Sequence, residues 1–315
     1  MSIKKFIPPN PLNTAILFTV FNRLDTTKQI FEAIRQAKPP RLYVAADGAR
    51  ANQEDEVEKV QAVRNYIMKN IDWDCEVKTL FRDENLGPKY ASVNAISWFF
   101  ENEEKGIILE DDTLPCLSFF WFCEELLERY EKDLRVWHIS GNNFLNGIKI
   151  SDKSYYFSKN VSMWGWATWA DRWSHNDVEM NSFSQFKEEG LITSIFSKKK
   201  VQRFWLYTFD LVFRKKFNNC WDFQWIYTIL INGGLAIAPN KNLVSNIGFN
   251  SDAVHTTDIN HIHANVPSKE MIIPLTHPKF FIFDSTADSY DNSVRFSKSN
   301  LIFRIFKRII RSFTK

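Results

Sequence analysis

The chain has no run of about 18 apolar residues, the length an α-helix needs to cross a bilayer, so no spanning helix is expected. Its opening residues, MSIKKFIPPNPLNT, contain two lysines but no apolar stretch and no small-residue cleavage site, which argues against a secretory signal. Cys75, Cys116, Cys123 and Cys220 form no CxxC pair, so the expectation is reduced, mostly buried thiols in a cytoplasmic protein. Glycine is scarce, and FTVFNRLD, the segment after the first apolar run, contains none, so no glycine-rich phosphate loop is expected there. Acidic residues are also missing beyond Asp291, where Arg295, Lys298, Arg304, Lys307, Arg308, Arg311 and Lys315 are all basic.

That last absence reorganises the charge. The net +3 separates into a mildly acidic body of −4 and a tail of +7, which argues against a nucleic-acid footprint spread over the body. What the chain does have is a 44% hydrophobic fraction, enough for a full core in one large domain or two. The 28 Phe and 11 Trp predict an aromatic core, with some rings available to line a sugar or base pocket.

Through residue 140 the pattern alternates. Residues 14–21 (TAILFTVF) read as a buried strand, and Asp25-Thr26-Thr27 as the cap of a helix that Pro39-Pro40 stops. Residues 42–46, 75–81 and 106–109 read as further strands. Residues 54–69, with Val57, Val60, Val63 and Ile67 at helical spacing, and the segment from Gly87 to about Phe100 read as helices. Repeats of this kind imply an α/β fold with a mainly parallel sheet and helices on both faces. Ligands of such sheets sit beyond the carboxyl ends of the strands. The residues found there are Asn22-Arg23, Asp47, Arg82-Asp83 and Glu110-Asp111-Asp112. The stretch after residue 141 is less regular and rich in aromatics.

Glu110-Asp111-Asp112 is the strongest local signal. Three adjacent carboxylates raise one another's pKa and need a cation, and a divalent metal holding a diphosphate answers that need. A helix cap is the plainer use, but one acid would suffice for it. Asp47 can accept hydrogen bonds from a base or ribose, or form an Asx turn with Gly48. Arg23 and Lys89 can each pair a phosphate or lie in an ion pair. Asp222, set among Trp221, Phe223 and Trp225, suits a general base if burial raises its pKa, or a structural role bonded to backbone. Around Gly165-Trp166 the tryptophans can stack on a sugar, though packing in the core is expected for at least two of them. His255 reads as a metal or diphosphate contact or as structural, and His261 and His263 as surface.

The tail has a geometry of its own. At about 100° per residue, the apolar residues of 301–313 gather on one side. Arg304, Lys307, Arg308, Arg311 and Lys315 all fall on the other. This is the pattern of a helix lying on an anionic membrane surface, or of a terminal helix docked on the body.

In this order the residues resemble a GT-A-fold glycosyltransferase, and especially the inverting N-acetylglucosaminyltransferase I family, from about residue 14 to 256. Phe21-Asn22-Arg23 is similar to that family's first-strand Cys-Asp-Arg, and Asp47 to the Asp that faces uracil. Residues 108–112 resemble its Glu-Asp-Asp, and residues 137–143 (WHISGNN) the strand and turn that follow. Gly165-Trp166 and Trp221-Asp222 resemble an acceptor-side Gly-Trp and a Trp-Asp carrying the base. Residues 246–251 (NIGFNS) resemble a loop that closes over the donor, with Asn250 where the family has Gly.

The resemblance implies a metal-dependent, inverting hexosyltransferase that uses a nucleotide-diphospho-sugar, UDP-linked and carrying GlcNAc or a related sugar. Asp112, with His255, would hold Mn2+ or Mg2+. Asn22, Arg23, Asp47, Lys89, Glu110, Asp111, Phe249 and Ser251 would face the nucleotide sugar. Gly165, Trp166 and Trp221 would line the acceptor side, and Asp222 would be the catalytic base. The expected organisation is a nucleotide-sugar half at 1–140, an acceptor half of the same domain at 141–291 and a basic tail at 292–315. The expected acceptor is a glycan or lipid-linked glycan, with the chain peripheral on the inner membrane face. The alternatives are a non-catalytic carbohydrate-binding protein or a sugar nucleotidyltransferase.

Overall fold

The structure, a computed structural model, describes residues 6–217, 219–249 and 265–297. Its first part alternates as expected. It runs β1 (Ile16–Val20), α1 (Leu24–Ala37), β2 (Arg41–Ala46), α2 (Glu56–Asn70), β3 (Glu76–Phe81), α3 (Gly87–Phe100) and β4 (Lys105–Glu110). Then follow β5 (Thr113–Pro115), α4 (Ser118–Arg129), β6 (Val136–Ser140), β7 (Tyr155–Ser158) and β8 (Trp166–Trp169). Four short or mid-length helices come next: α5 (Ala170–Trp173), α6 (Phe183–Glu188), α7 (Ile192–Ile195) and α8 (Lys199–Phe213). The order closes with α9 (Asp222–Ile231), β9 (Leu235–Pro239), β10 (Val244–Asn246) and α10 (Ser285–Ser297).

Eight strands form one Rossmann-like mixed sheet in the order β3-β2-β1-β4-β8-β6-β9-β7, and β5 pairs with β10 in a separate ribbon. β3, β2, β1 and β4 are mutually parallel, so their carboxyl ends open on one edge. β8 runs antiparallel between β4 and β6, which joins the parallel half to the aromatic half in a single sheet. α10 crosses residue 292, where the tail was expected to start.

The alternation of side chains decides the two faces. Ile16, Phe18 and Val20 of β1 join Leu42, Val44 and Ala46 of β2 in one core with Phe31, Phe119 and Phe120. Leu17, Tyr43 and Ala45 point the other way, into a core with Phe99, Trp166, Trp205 and Trp225. Each such large side chain contributes ~1.5–3 kcal/mol by leaving water.

Two local expectations change. α1 begins at Leu24, so Asp25, Thr26 and Thr27 lie in its first turn instead of capping it, and the Thr27 hydroxyl donates back to the Arg23 carbonyl (2.6 Å). Asp25 there complements the helix dipole. On α2 the buried face is Glu56, Val60, Val63 and Ile67, while Val57 is exposed.

Candidate active site

The parallel edge brings two polar segments together. After β1 the chain passes Phe21, Asn22 and Arg23 before entering α1; after β4 it turns at once through Glu110, Asp111 and Asp112. Thr113 fixes that turn, since its hydroxyl accepts from the Glu110 amide (2.9 Å) and donates to the Glu110 carbonyl (3.0 Å). Arg23 Nη2 reaches Asp111 Oδ1 at 2.5 Å and Asp112 Oδ2 at 3.1 Å, and the Phe21 amide donates to Asp111 Oδ2 at 3.3 Å. The cation the acid triplet requires is therefore, in part, supplied by the chain. Arg23 is engaged with these two carboxylates, the ion-pair use among the two open to it.

Burial pushes Asp111 up to about 6, with Arg23 pulling the other way and Asp112 adding to the rise. Glu110 is driven well above the usual carboxylate range by burial first, then by the charges of Asp112, Asp111 and Asp222. Burial alone would lower Arg23, but the two aspartates outweigh it and keep the guanidinium charged.

The repulsion between Glu110 and Asp222 is informative about position. Asp222 opens α9, so the fold brings a carboxylate from far along the chain within electrostatic reach of the β4 acids. The dipole of α9 favours negative charge at this end. Lys89 belongs to the same neighbourhood: the buried Cys220 thiol, raised by burial, feels both Asp222 and Lys89. Lys89 is itself buried and donates to Glu179 Oε1 at 2.9 Å, which also accepts from the Tyr90 hydroxyl (3.2 Å). Of the two uses open to Lys89, the structure displays the ion pair.

β10 closes the other side. It pairs with β5, and as it continues, the Ile247 amide donates to the Asp112 carbonyl at 2.8 Å. A Cβ on Gly248 would lie 2.4 Å from Asp112 Oδ2, so only glycine lets this strand pass the carboxylate. Phe249 then packs edge-on against Trp164, with ring centres 5.7 Å apart. Ser251 and His255, together with Asn250, His261 and His263, lie outside the described residues.

The remaining predicted residues have structural partners. Asp47 accepts from the amides of Gly48 (3.1 Å), Leu86 (3.0 and 3.1 Å) and Gly87 (3.0 Å), tying the end of β2 to the start of α3. This is an extension of the Asx-turn alternative. Asn22 donates to Glu56 Oε1 at 2.8 Å. Trp166 is fully buried, stacked on His138 (4.9 Å) and Trp221 (5.8 Å), and Trp221 is buried as well. Both rings are core, a correction to their placement on the acceptor surface. Gly165 takes a left-handed conformation (φ 61°) against Val244.

Two features escaped the sequence. Glu56 is buried at the head of α2 and holds Asn22 and Arg50, the latter drawing its carboxyl below the usual range as the main cause. Its sequence surroundings are polar, so nothing in the pattern signals burial. Arg64 donates from one Nη2 to the carbonyls of Asp47 (3.1 Å) and Arg82 (2.6 Å), clamping the ends of β2 and β3. Its position three residues before Ile67 on a helix gives no hint of this.

Among the described residues no group of three or more His, Cys, Asp or Glu side chains is arranged to hold a metal alone. The donor set fits a different arrangement. Asp112, with its side chain 18% exposed, offers carboxylate oxygens at the site's mouth, as in sites where one carboxylate and substrate phosphates share Mg2+ or Mn2+.

No protein-family model matches the chain, and no curated protein matches it. Solved structures overlap with about half of it. HddC from Yersinia pseudotuberculosis gives TM-score 0.31 at 11% identity, over 50% of this chain and 77% of that one. A UDP-glucose pyrophosphorylase complexed with UDP-glucose gives 0.29 at 10%, over 51% and 77%. The glycosyltransferase GlyE of Streptococcus pneumoniae TIGR4 gives 0.28 at 9%, over 56% and 39%. Overlaps this partial carry no assignment of function.

Proposed function

We propose that the chain is a metal-dependent, inverting GT-A-fold glycosyltransferase that moves a sugar from a UDP-linked donor to a hydroxyl of a glycan or glycolipid. The observation that carries this reading is the convergence of Glu110, Asp111 and Asp112 at the end of β4 with Asp222 at the head of α9. Burial and the charges of Asp112, Asp111 and Asp222 raise the Glu110 carboxyl, and Glu110 contacts a hydroxyl of the donor sugar or ribose. Asp222 takes the proton of the acceptor hydroxyl as that oxygen attacks the anomeric carbon from the face opposite the diphosphate. Arg23 holds Asp111 and Asp112 in register and offsets their charge. Phe249 on Trp164 forms a hydrophobic wall that keeps water from the donor. Mn2+ or Mg2+ at Asp112 would supply Lewis-acid stabilisation of the departing diphosphate.

The tail belongs to this reading as a membrane anchor. Residues 299–315 meet an anionic inner-leaflet surface and bring the enzyme to a lipid-linked acceptor. No helix among the described residues is long and apolar enough to cross a membrane.

Asp222→Asn tests the chemistry. Transfer should fall by ~10²–10⁴-fold with UDP affinity within about a factor of two. Unchanged turnover removes Asp222 as the base. Mass analysis of products separates the alternatives: UDP with a glycoside marks a transferase, pyrophosphate with a nucleotide sugar marks a nucleotidyltransferase.

A further inference from the structure

Lys279, Phe280, Phe281, Ile282 and Phe283 run along the sheet edge formed by β7, with Phe157 and Phe283 in parallel register. Their side chains alternate. Phe281 packs on Phe157 at 4.2 Å between ring centres, and Phe283 packs against the same core. Phe280 and Ile282 point away from it and are 67% and 70% exposed, although both are large and apolar. Arg135 lies over the Phe281 ring at 3.8 Å and is paired with Asp133. Lys279 is exposed, with its amine 5.6 Å from the centre of the Phe280 ring, while Asp284 on the other side accepts from the first amides of α10.

We propose that Phe280 and Ile282, with Lys279 beside them, insert into the surface of an anionic bilayer as a second membrane contact. This rests on the reading of residues 299–315 as a membrane anchor and adds a contact on the folded body. Three features select the bilayer as occupant. Exposed apolar side chains with a lysine against the Phe280 ring match the acyl and anionic layers of such a surface. α10 starts two residues after Phe283 and the described chain ends at Ser297, about 20 Å from the patch along that helix and directly before the basic residues of the tail sequence. The patch offers roughly a few hundred Å², short of the ~800 Å² that each partner gives to a standard protein interface, which disfavours a second copy of the chain.

The test is co-sedimentation of the full chain with phosphatidylcholine vesicles, with and without phosphatidylglycerol. Phe280→Ser/Ile282→Ser should lower partitioning onto the anionic vesicles about tenfold with the tail intact, and donor hydrolysis should not change. Lys279→Glu should also lower it, only where phosphatidylglycerol is present. Unchanged partitioning in both variants overturns the proposal, as does a dimer of the full chain that Phe280→Ser/Ile282→Ser dissociates. Deleting residues 299–315 separates the two contacts. If deletion has no effect while the patch variants bind less, the tail reading fails and the patch stands. The reverse pattern keeps the tail and removes the patch.

Discussion

The parallel half of the sheet and the aromatic half contribute to the site in opposite ways. β1, β2 and β4 deliver polar residues at their carboxyl ends, each within three residues of the strand that aims it. The aromatic half delivers Asp222 by packing: Trp166, Trp173, Trp221 and Trp225 stack with centres 5.0–6.4 Å apart and set where α9 begins. The first half is a ladder whose ends are pinned by Arg64, Asp47 and Thr113. The second is a scaffold whose tryptophans spend their surface on one another. Rings that look like sugar platforms in the sequence are, at Trp166 and Trp221, the support beneath a carboxylate.

Mutations can break this contrast, and the largest effect belongs to the scaffold. Trp166→Ala should destabilise by ~3–5 kcal/mol in a denaturant titration, because the cavity strips contacts from His138 and Trp221. A stable variant that lost only acceptor affinity would return Trp166 to the acceptor surface. Next comes Gly248→Ala, whose new methyl must displace Asp112 or the strand. Donor hydrolysis should fall by ~10²-fold, since displacements of this order have that effect on reacting geometry. Full activity would mean that Asp112 is not held by β10.

Asp47→Asn is expected to cost about 1.5–3 kcal/mol of stability, because a charged acceptor of three backbone amides becomes a neutral one. UDP affinity should hold; a loss of UDP binding without a loss of stability would make Asp47 a ligand contact. Glu110→Gln should have the smallest effect and the opposite sign. The folded-state pKa of Glu110 is raised, so the unfolded chain ionises first and stability is lost as pH rises above the ordinary value of ~4.3. The variant should therefore gain stability at pH 7.5 and none at pH 4, read as Tm at the two pH values, while donor turnover falls. Equal Tm shifts at both pH values would show that charge burial is not the cause.

Legibility followed the same division. The strands and helices up to β4 could be read because apolar alternation and turn residues are local signals, and the acids beyond each strand came with them. Arg23 is legible but its partners are not, since a guanidinium three residues past β1 meets carboxylates from the end of β4 only when the strands lie side by side. The burial of Glu56 and the hold of Arg64 on two strand ends have no sequence signature, because burial of a charge depends on what the rest of the chain brings to it.

The sequence by itself determined the α/β class, the acidic triplet at a strand end, the asymmetry of charge and the segregated pattern of the tail. These rest on periods of two or about 3.6 residues and on neighbours in the chain, which act over one or two turns of backbone. Only the tertiary structure decided which cation meets the triplet, which tryptophans are core and that Asp222 lies near Glu110. Those are contacts between segments tens to more than a hundred residues apart. Their electrostatics depend on the low dielectric that folding creates around them.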